Sequence, residues 1–319
     1  MRVPFKRINL GNALEAIRPL IESGFIGLGN TVFEFEKELA KYVGSKYVVA
    51  VDSCTSALFL CLKYEKAKTV EIPSMTVPLV IDACFEANKD VVFNCETSWV
   101  GSAYKIGHTN IWDSAHQLDK NQCKGMDKKT KVCFSFYPTK SIGSADGGAI
   151  ATNDKKFYEW AKKISTYGRN QGNKYMNSWE YEVDLIGYKR HYTNLQSAIC
   201  LEQLRRLPET DKKRKSIRDS YNKAFGLKNK SVYLYRLNVD DRQGFLDFMK
   251  AREIECGVHF QPLHMMKAFK KVLFVDDQKI VEEAYKHTVS LPLFDLMTDE
   301  QVNWVINSVK DYGLERLVR

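Results

Sequence analysis

KYVVAVDSCTSALFLCLKYEKA, residues 46–67, is the stretch on which the fold turns. KYVVAVDS (46–53) is a short β-branched run closed by polar residues, which predicts a buried strand. TSALFLCLKYEKA (55–67) follows at helical length, with Ser53 standing where an N-cap belongs. The alternation continues outward from there. KTVEIP (68–73), KDVVFN (89–94), TNIWDS (109–114) and KVCFSFY (131–137) read as further strands, with GGAIATN (147–153) after them. Strands alternating with helical or turn segments predict an α/β fold: a mainly parallel sheet with helices on both faces. In such sheets ligands sit beyond the carboxyl ends of the strands, so the chemistry is expected just after each one.

Towards the C-terminus the pattern changes. FYEWAKKISTY (157–167) predicts a helix, a Gly/Asn-rich loop follows, and a second helix is expected from Asn194 to Leu207. LPETDKKRKS (207–216) reads either as a linker or as part of one long connecting helix. Beyond it, SVYLYRLNV (231–239) and VHFQPL (258–263) read as strands, and RQGFLDFMKARE (242–253) and DEQVNWVINSVKDYG (299–313) as helices. The expected organisation is a large domain over 1–209 and a small α+β domain over 210–319.

Composition narrows the function classes. Among 319 residues, 44% are hydrophobic and 27% charged, the balance of a soluble globular chain. The first twenty residues carry scattered charges and no apolar run, which predicts a cytoplasmic protein without a secretory signal; no stretch is apolar enough to cross a membrane. Eight cysteines form no C-x-x-C pair and have no histidine at metal spacing, so buried free thiols are expected and no metal site. The net charge of +9 suits phosphorylated ligands. Its lysines lie in short dispersed groups (KKTK, DKKRK, KNK) without aromatic interleaving, so no nucleic-acid partner is expected.

Three segments carry candidate chemistry. In VDSCTSALFL (51–60), Ser53, Thr55 and Ser56 crowd a helix start, where open N–H groups favour an anion; simple capping by Ser53 explains the same residues. In NIWDSAHQ (110–117), Asp113 ends a buried strand, where a carboxylate needs a cation or several donors. A protonated pyridine nitrogen is one such partner, with His116 in reach of an adjacent phenolic oxygen; a turn-capping Asp is the plainer reading. In CFSFYPTKSIGSADGG (133–148), Lys140 is held between an apolar strand and a glycine-rich loop, the setting of a desolvated nucleophilic lysine. The order of the three matters more than any one: phosphate cradle, pyridinium partner and Schiff-base lysine are the parts of a pyridoxal 5′-phosphate (PLP) site.

On these segments the chain resembles the DegT/DnrJ/EryC1/StrS family of sugar aminotransferases, which are fold-type-I PLP-dependent transferases. SGFIGLGNTVFEFEKELAKYVGSKYVVAVDSCTSAL (23–58), DSAHQ (113–117), SFYPTKSIGSADGGAIATND (135–154), YTNLQSAICLEQL (192–204), GVHFQPLH (257–264) and VSLPLF (289–294) match its motifs in order. The resemblance implies that Lys140 is the Schiff-base lysine and proton shuttle, that Asp113 pairs with the pyridine nitrogen, and that His116 lies at the ring's phenolic side. It also implies a phosphate held by Cys54, Thr55 and Ser135. Gly29, His259 and His264 would face the substrate, a nucleotide diphosphate sugar, with an amino-acid donor such as L-glutamate. A homodimer with its site at the interface would bring Lys189 to the neighbour's phosphate. For each histidine, an ordinary hydrogen-bonded role is the competing reading.

The chain departs from the pattern in several places. Cys54 stands where the family has Gly, Val77 where it has an aromatic, and Lys189 where it has Asn; the stretch from Phe93 to Trp112 is short by a strand–helix unit. These departures keep a catalytically silent PLP- or sugar-binding sensor in view. A PLP-dependent sugar dehydratase is the other alternative, although such relatives carry His at the position of Lys140.

Overall fold

The structure, a computed structural model, describes residues 1–170 and 181–318. β1 (Tyr47–Val51) shows how the central sheet is buried. Its Val49 and Val51 enter one hydrophobic cluster, while Val48 and Ala50 enter another on the opposite face. β6 (Lys131–Ser135) and β7 (Gly148–Thr152) divide in the same way, with Cys133 and Ile150 on the first side and Val132, Phe134, Ala149 and Ala151 on the second. A two-residue period with both faces apolar is the mark of a sheet covered by helices on each side. α3 (Cys54–Tyr64) and α4 (Pro78–Glu86) cover the first face; α2 (Asn30–Val43) and the start of α6 (Asn194–Phe225) cover the second.

The sheet runs β1-β7-β6-β5-β4, where β5 is Ile111–Asp113 and β4 is Tyr104–Ile106. β2 (Thr69–Pro73), β3 (Asp90–Asn94) and β9 (Leu273–Phe274) form a parallel set beside it, joined by the bridge between Glu71 and Gly107. β1, β5 and β6 share one direction, whereas β7 and β4 run against their neighbours. The lack of an intervening helix explains both reversals. A parallel neighbour needs a crossover of a dozen or more residues, usually a helix. β6 reaches β7 through a loop alone, so the chain returns antiparallel and leaves Lys140 at the carboxyl end of β6. β4 reaches β5 through residues 107–110 alone, too few for a crossover, so the two form an antiparallel hairpin.

α6 continues without a break through Pro208, so LPETDKKRKS is helical and the expected boundary at 209/210 falls inside it. Its second half (Ile217, Tyr221, Phe225) packs in a third cluster with β8 (Tyr235–Asn238), α7 (Arg242–Ala251), β10 (Thr288–Leu291) and α9 (Asp299–Tyr312). Two strand expectations need correction. VHFQPL is not a strand: only Gly257 pairs, with Ser290 of β10 (2.9 and 2.7 Å), after which the chain crosses to the large sheet and Leu263 donates to the Ser74 carbonyl. SVYLYRLNV begins its strand only at Tyr235, because the Ser231 hydroxyl accepts from the Tyr233 and Leu234 amides and turns the chain.

Candidate functional site

β5 and β6 lie side by side and parallel, so the residues at their carboxyl ends converge. Asp113 closes β5 with only 5% of its surface exposed. Its Oδ1 accepts from the Ala115 amide (2.9 Å) and its Oδ2 from the Tyr104 hydroxyl (3.0 Å). Burial drives this carboxyl above the usual carboxylate range, opposed by the two hydrogen bonds and by the positive charge of Lys140. Two donors leave acceptor capacity over on a carboxylate. Among the described residues no Lys, Arg or His forms a salt bridge with it, so its remaining acceptor capacity suits a cationic ring nitrogen.

Lys140 sits in a loop folded tightly on itself. Its amide donates to the Tyr137 carbonyl (2.9 Å), and the Phe136 amide to Gly147 (2.8 Å). A side chain at Gly143 would meet the Tyr137 oxygen at 2.6 Å, so this position admits only glycine. α6 holds the loop from outside: Gln203 accepts from the Gly143 amide (3.0 Å), and Arg214, paired with Asp211 at 2.9 Å, donates to the Ser141 carbonyl. The Lys140 ammonium lies 4.6 Å from the centre of the Tyr233 ring.

His116 is buried against Tyr233 (4.7 Å), Trp99 (5.2 Å) and Phe260 (5.6 Å). Its Nδ1 accepts from the Gly101 amide at 3.2 Å. Desolvation, with Lys140, His259 and Lys6 nearby, holds its pKa well below the ordinary range, so the ring is neutral. A neutral ring that accepts at Nδ1 carries its proton on Nε2, a donor of the kind a phenolic oxygen needs.

The α3 N-terminus supplies the anion cradle. Ser53 caps it through Ser56 (3.1 Å), the plainer of the two sequence readings for that hydroxyl, while the Cys54 and Thr55 amides have no partner within the helix. A Cβ at Gly148 would strike the Cys54 nitrogen and the Ser53 carbonyl at 2.5 Å, so glycine lets β7 pass hard against this turn. Burial and the Asp113 charge push the Cys54 thiol well up, which leaves it an uncharged wall. Ser135 ends β6, and a small cavity joins it to His116 and Lys140.

The other expected residues scatter. His259 joins the group: Nδ1 is within 3.0 Å of the Ser290 hydroxyl, the ring stacks on Phe5 at 5.3 Å, and burial with Lys6 and Lys140 lowers it to about 4. His264 is tied between Ser74 (2.7 Å) and Glu282 (3.1 Å), so both ring nitrogens are engaged. Gly29 caps α2, where a Cβ would meet the Asn194 amide at 2.6 Å. Lys189 is exposed, whereas Arg190 turns inward and donates to Ser56 (3.0 Å) and to Glu86.

Sequence reading missed four contributors: Tyr104, Trp99, Tyr233 and Lys6. Lys6 donates to the Leu293 carbonyl (2.7 Å) and lies 4.6 Å from the same Tyr233 ring that Lys140 approaches. Burial, then Arg214 and Lys140, bring it down to about 7. Nothing in VPFKRINL distinguishes this lysine, since its partners lie more than two hundred residues away.

The fold and these residues together define a PLP-type site. A profile of the DegT/DnrJ/EryC1/StrS aminotransferase family matches residues 10–96 and 110–310, and the chain belongs to this family. Its cofactor is accordingly pyridoxal 5′-phosphate, which the buried carboxyl, the loop lysine and the helix start fit. The chain is 29% identical to the spore coat polysaccharide biosynthesis protein SpsC of Bacillus subtilis (strain 168), over 93% of each protein. Its fold is similar to Spr1654 of Streptococcus pneumoniae in its PLP form (TM-score 0.82, 18% identity, 100% of both chains). It is equally similar to PseC of Helicobacter pylori, an aminotransferase involved in the biosynthesis of pseudoaminic acid (TM-score 0.82, 19% identity, 98% and 99%).

Proposed function

We propose that this aminotransferase moves an amino group from an L-amino acid, L-glutamate being the expected donor, onto a nucleotide-linked keto-sugar. The carrying observation is the convergence of Asp113, His116 and Lys140 at the carboxyl ends of β5 and β6, beside an open helix start. When bound, PLP supplies the electron sink that makes an amino acid's α-proton removable. In this reading Lys140 would hold the cofactor, and its amine would be the group that moves that proton. Asp113 would hold the positive ring nitrogen, and His116 would donate from Nε2 to the phenolic oxygen. Cys54, Thr55 and Ser135 hold the phosphate.

The names of SpsC and PseC support a sugar acceptor. A cavity on the α6 side of Lys140, lined by Lys6, Arg7, Arg206 and Arg214 with Asp295 as counter-charge, supports an anionic substrate. His259, with Nε2 unengaged by Ser290, is the candidate on the sugar side. Exposed apolar groups on and after α1 (Ala13–Ser23), namely Leu14, Ile21 and Phe25, and separately Ile186 near Lys189, support a second copy of the chain. Lys189 would then reach the neighbour's phosphate. Mass spectrometry of UDP-, GDP- and dTDP-linked keto-sugars with L-glutamate should show product gaining an amino group. Free keto-sugars reacting as well as the linked forms would refute the nucleotide requirement.

A further inference from the structure

The family match breaks off between residues 96 and 110. Within that interval the chain delivers two buried side chains to the site. Trp99, 6% exposed, packs against Tyr104 (4.6 Å) and His116 (5.2 Å). Tyr104, 5% exposed, donates its hydroxyl proton to Asp113 Oδ2 at 3.0 Å. We propose that Tyr104 is a positioning residue that keeps Asp113 a carboxylate, so that the shared proton stays on the cofactor's ring nitrogen. This rests on the reading of Asp113 and Lys140 given above.

The argument is one of proton location. A buried carboxylate facing a pyridinium has a competing neutral arrangement, in which the ring proton has crossed to the carboxyl oxygen. Low dielectric favours the neutral pair because it removes both charges. Hydrogen bonds to the carboxylate favour the charged one. The groups facing Asp113 are Cys54 of α3, Cys84 of α4, Cys133 of β6, Tyr104 of β4 and Lys140 of the loop. The three thiols are pushed up by burial and stay uncharged. Once Lys140 is joined to the cofactor its charge no longer serves Asp113 alone, and the donors that remain are the Ala115 amide and Tyr104. β4 runs antiparallel to β5 with Tyr104 directly opposite Asp113, so the short hairpin sets this pairing by register. The Trp99 and Thr76 contacts fix the phenol's direction.

Tyr104→Phe removes one oxygen and keeps the ring. The holoenzyme is reconstituted with PLP labelled with 15N in the ring, and its NMR signal reports directly whether that nitrogen carries the proton. The expected result is a protonated nitrogen in the wild type and about a tenfold fall in the protonated-to-neutral ratio in Tyr104→Phe, the scale of one hydrogen bond to a charged group. The first half-reaction with L-glutamate should slow by a similar factor at unchanged PLP occupancy. A variant whose nitrogen signal matches the wild type would overturn the proposal. A wild-type holoenzyme with a neutral ring nitrogen would overturn it without any variant. Absence of PLP from Lys140 after borohydride reduction would instead sink the underlying assignment of the site.

Discussion

Two stretches meet at Asp113, the Lys140 loop after β6 and residues 97–109 before β5, and they are built on different principles. The loop is stitched by bonds a few residues long, Lys140 to Tyr137 and Ser144 to Phe136 (each 2.9 Å), and by a glycine that allows no side chain. Residues 97–109 contain one three-residue strand and are held by rings: Trp99 against Tyr104, His116 and Phe260. In the proposed function the loop carries the covalent chemistry, and it can be read along the chain. The other stretch carries the groups proposed to tune it, and these can be read only across the fold.

The largest expected effect falls where the two stretches meet. Asp113→Asn should keep PLP bound yet slow amino transfer about 10^3-fold, because the amide cannot hold a positive ring nitrogen. A near-normal half-reaction would make Asp113 a structural residue and leave the loop to act alone. The next effect tests whether a third stretch, from a second subunit, completes the site. Lys140→Ala and Lys189→Ala should each be nearly inactive. Refolded together in equal amounts they should regain about a quarter of wild-type activity, since half the dimers are hybrids with one intact site of two. Hybrids confirmed by native mass spectrometry but without activity would put Lys189 in its own subunit's site or outside the chemistry altogether.

The smallest effect concerns Lys6, buried beside Lys140. Its folded value of about 7 lies below its ordinary 10.5. Above about pH 7 the unfolded chain therefore holds the extra proton, and stability rises with pH. From about pH 9 ionising thiols act in the opposite sense, because Cys84, Cys123 and Cys200 are pushed up to about 12 in the fold. Melting curves between about pH 7 and 8.5 should show the rise in the wild type and lose it in Lys6→Met. An unchanged slope would mean that Lys6 is not protonated differently in the two states.

The contrast also explains what could be read in advance. β1, α3, β6 and the Lys140 loop announce themselves by periodicity, a cap and glycines, and each of these is local. The placement of Asp113 was legible because a strand end is a position with meaning in an α/β sheet. The antiparallel turn of β7 was not foreseen, since strand direction depends on whether a helix intervenes and GSADGG reads only as a loop. VHFQPL looked like a strand from its apolar residues, but its backbone bonds go to two different sheets. Lys6, Trp99, Tyr104 and Tyr233 gain their roles from partners distant in sequence or from pairings too short to carry a period.

Borohydride reduction of the holoenzyme, followed by peptide mapping, tests the central claim most directly. Reduction fixes the cofactor to whichever amine holds it. The account predicts a pyridoxyl label on Lys140, in the peptide spanning SFYPTKSIG, and no label in Lys140→Ala. A label on Lys6, Lys189 or any other lysine, or none at all on protein that retains PLP, would contradict it.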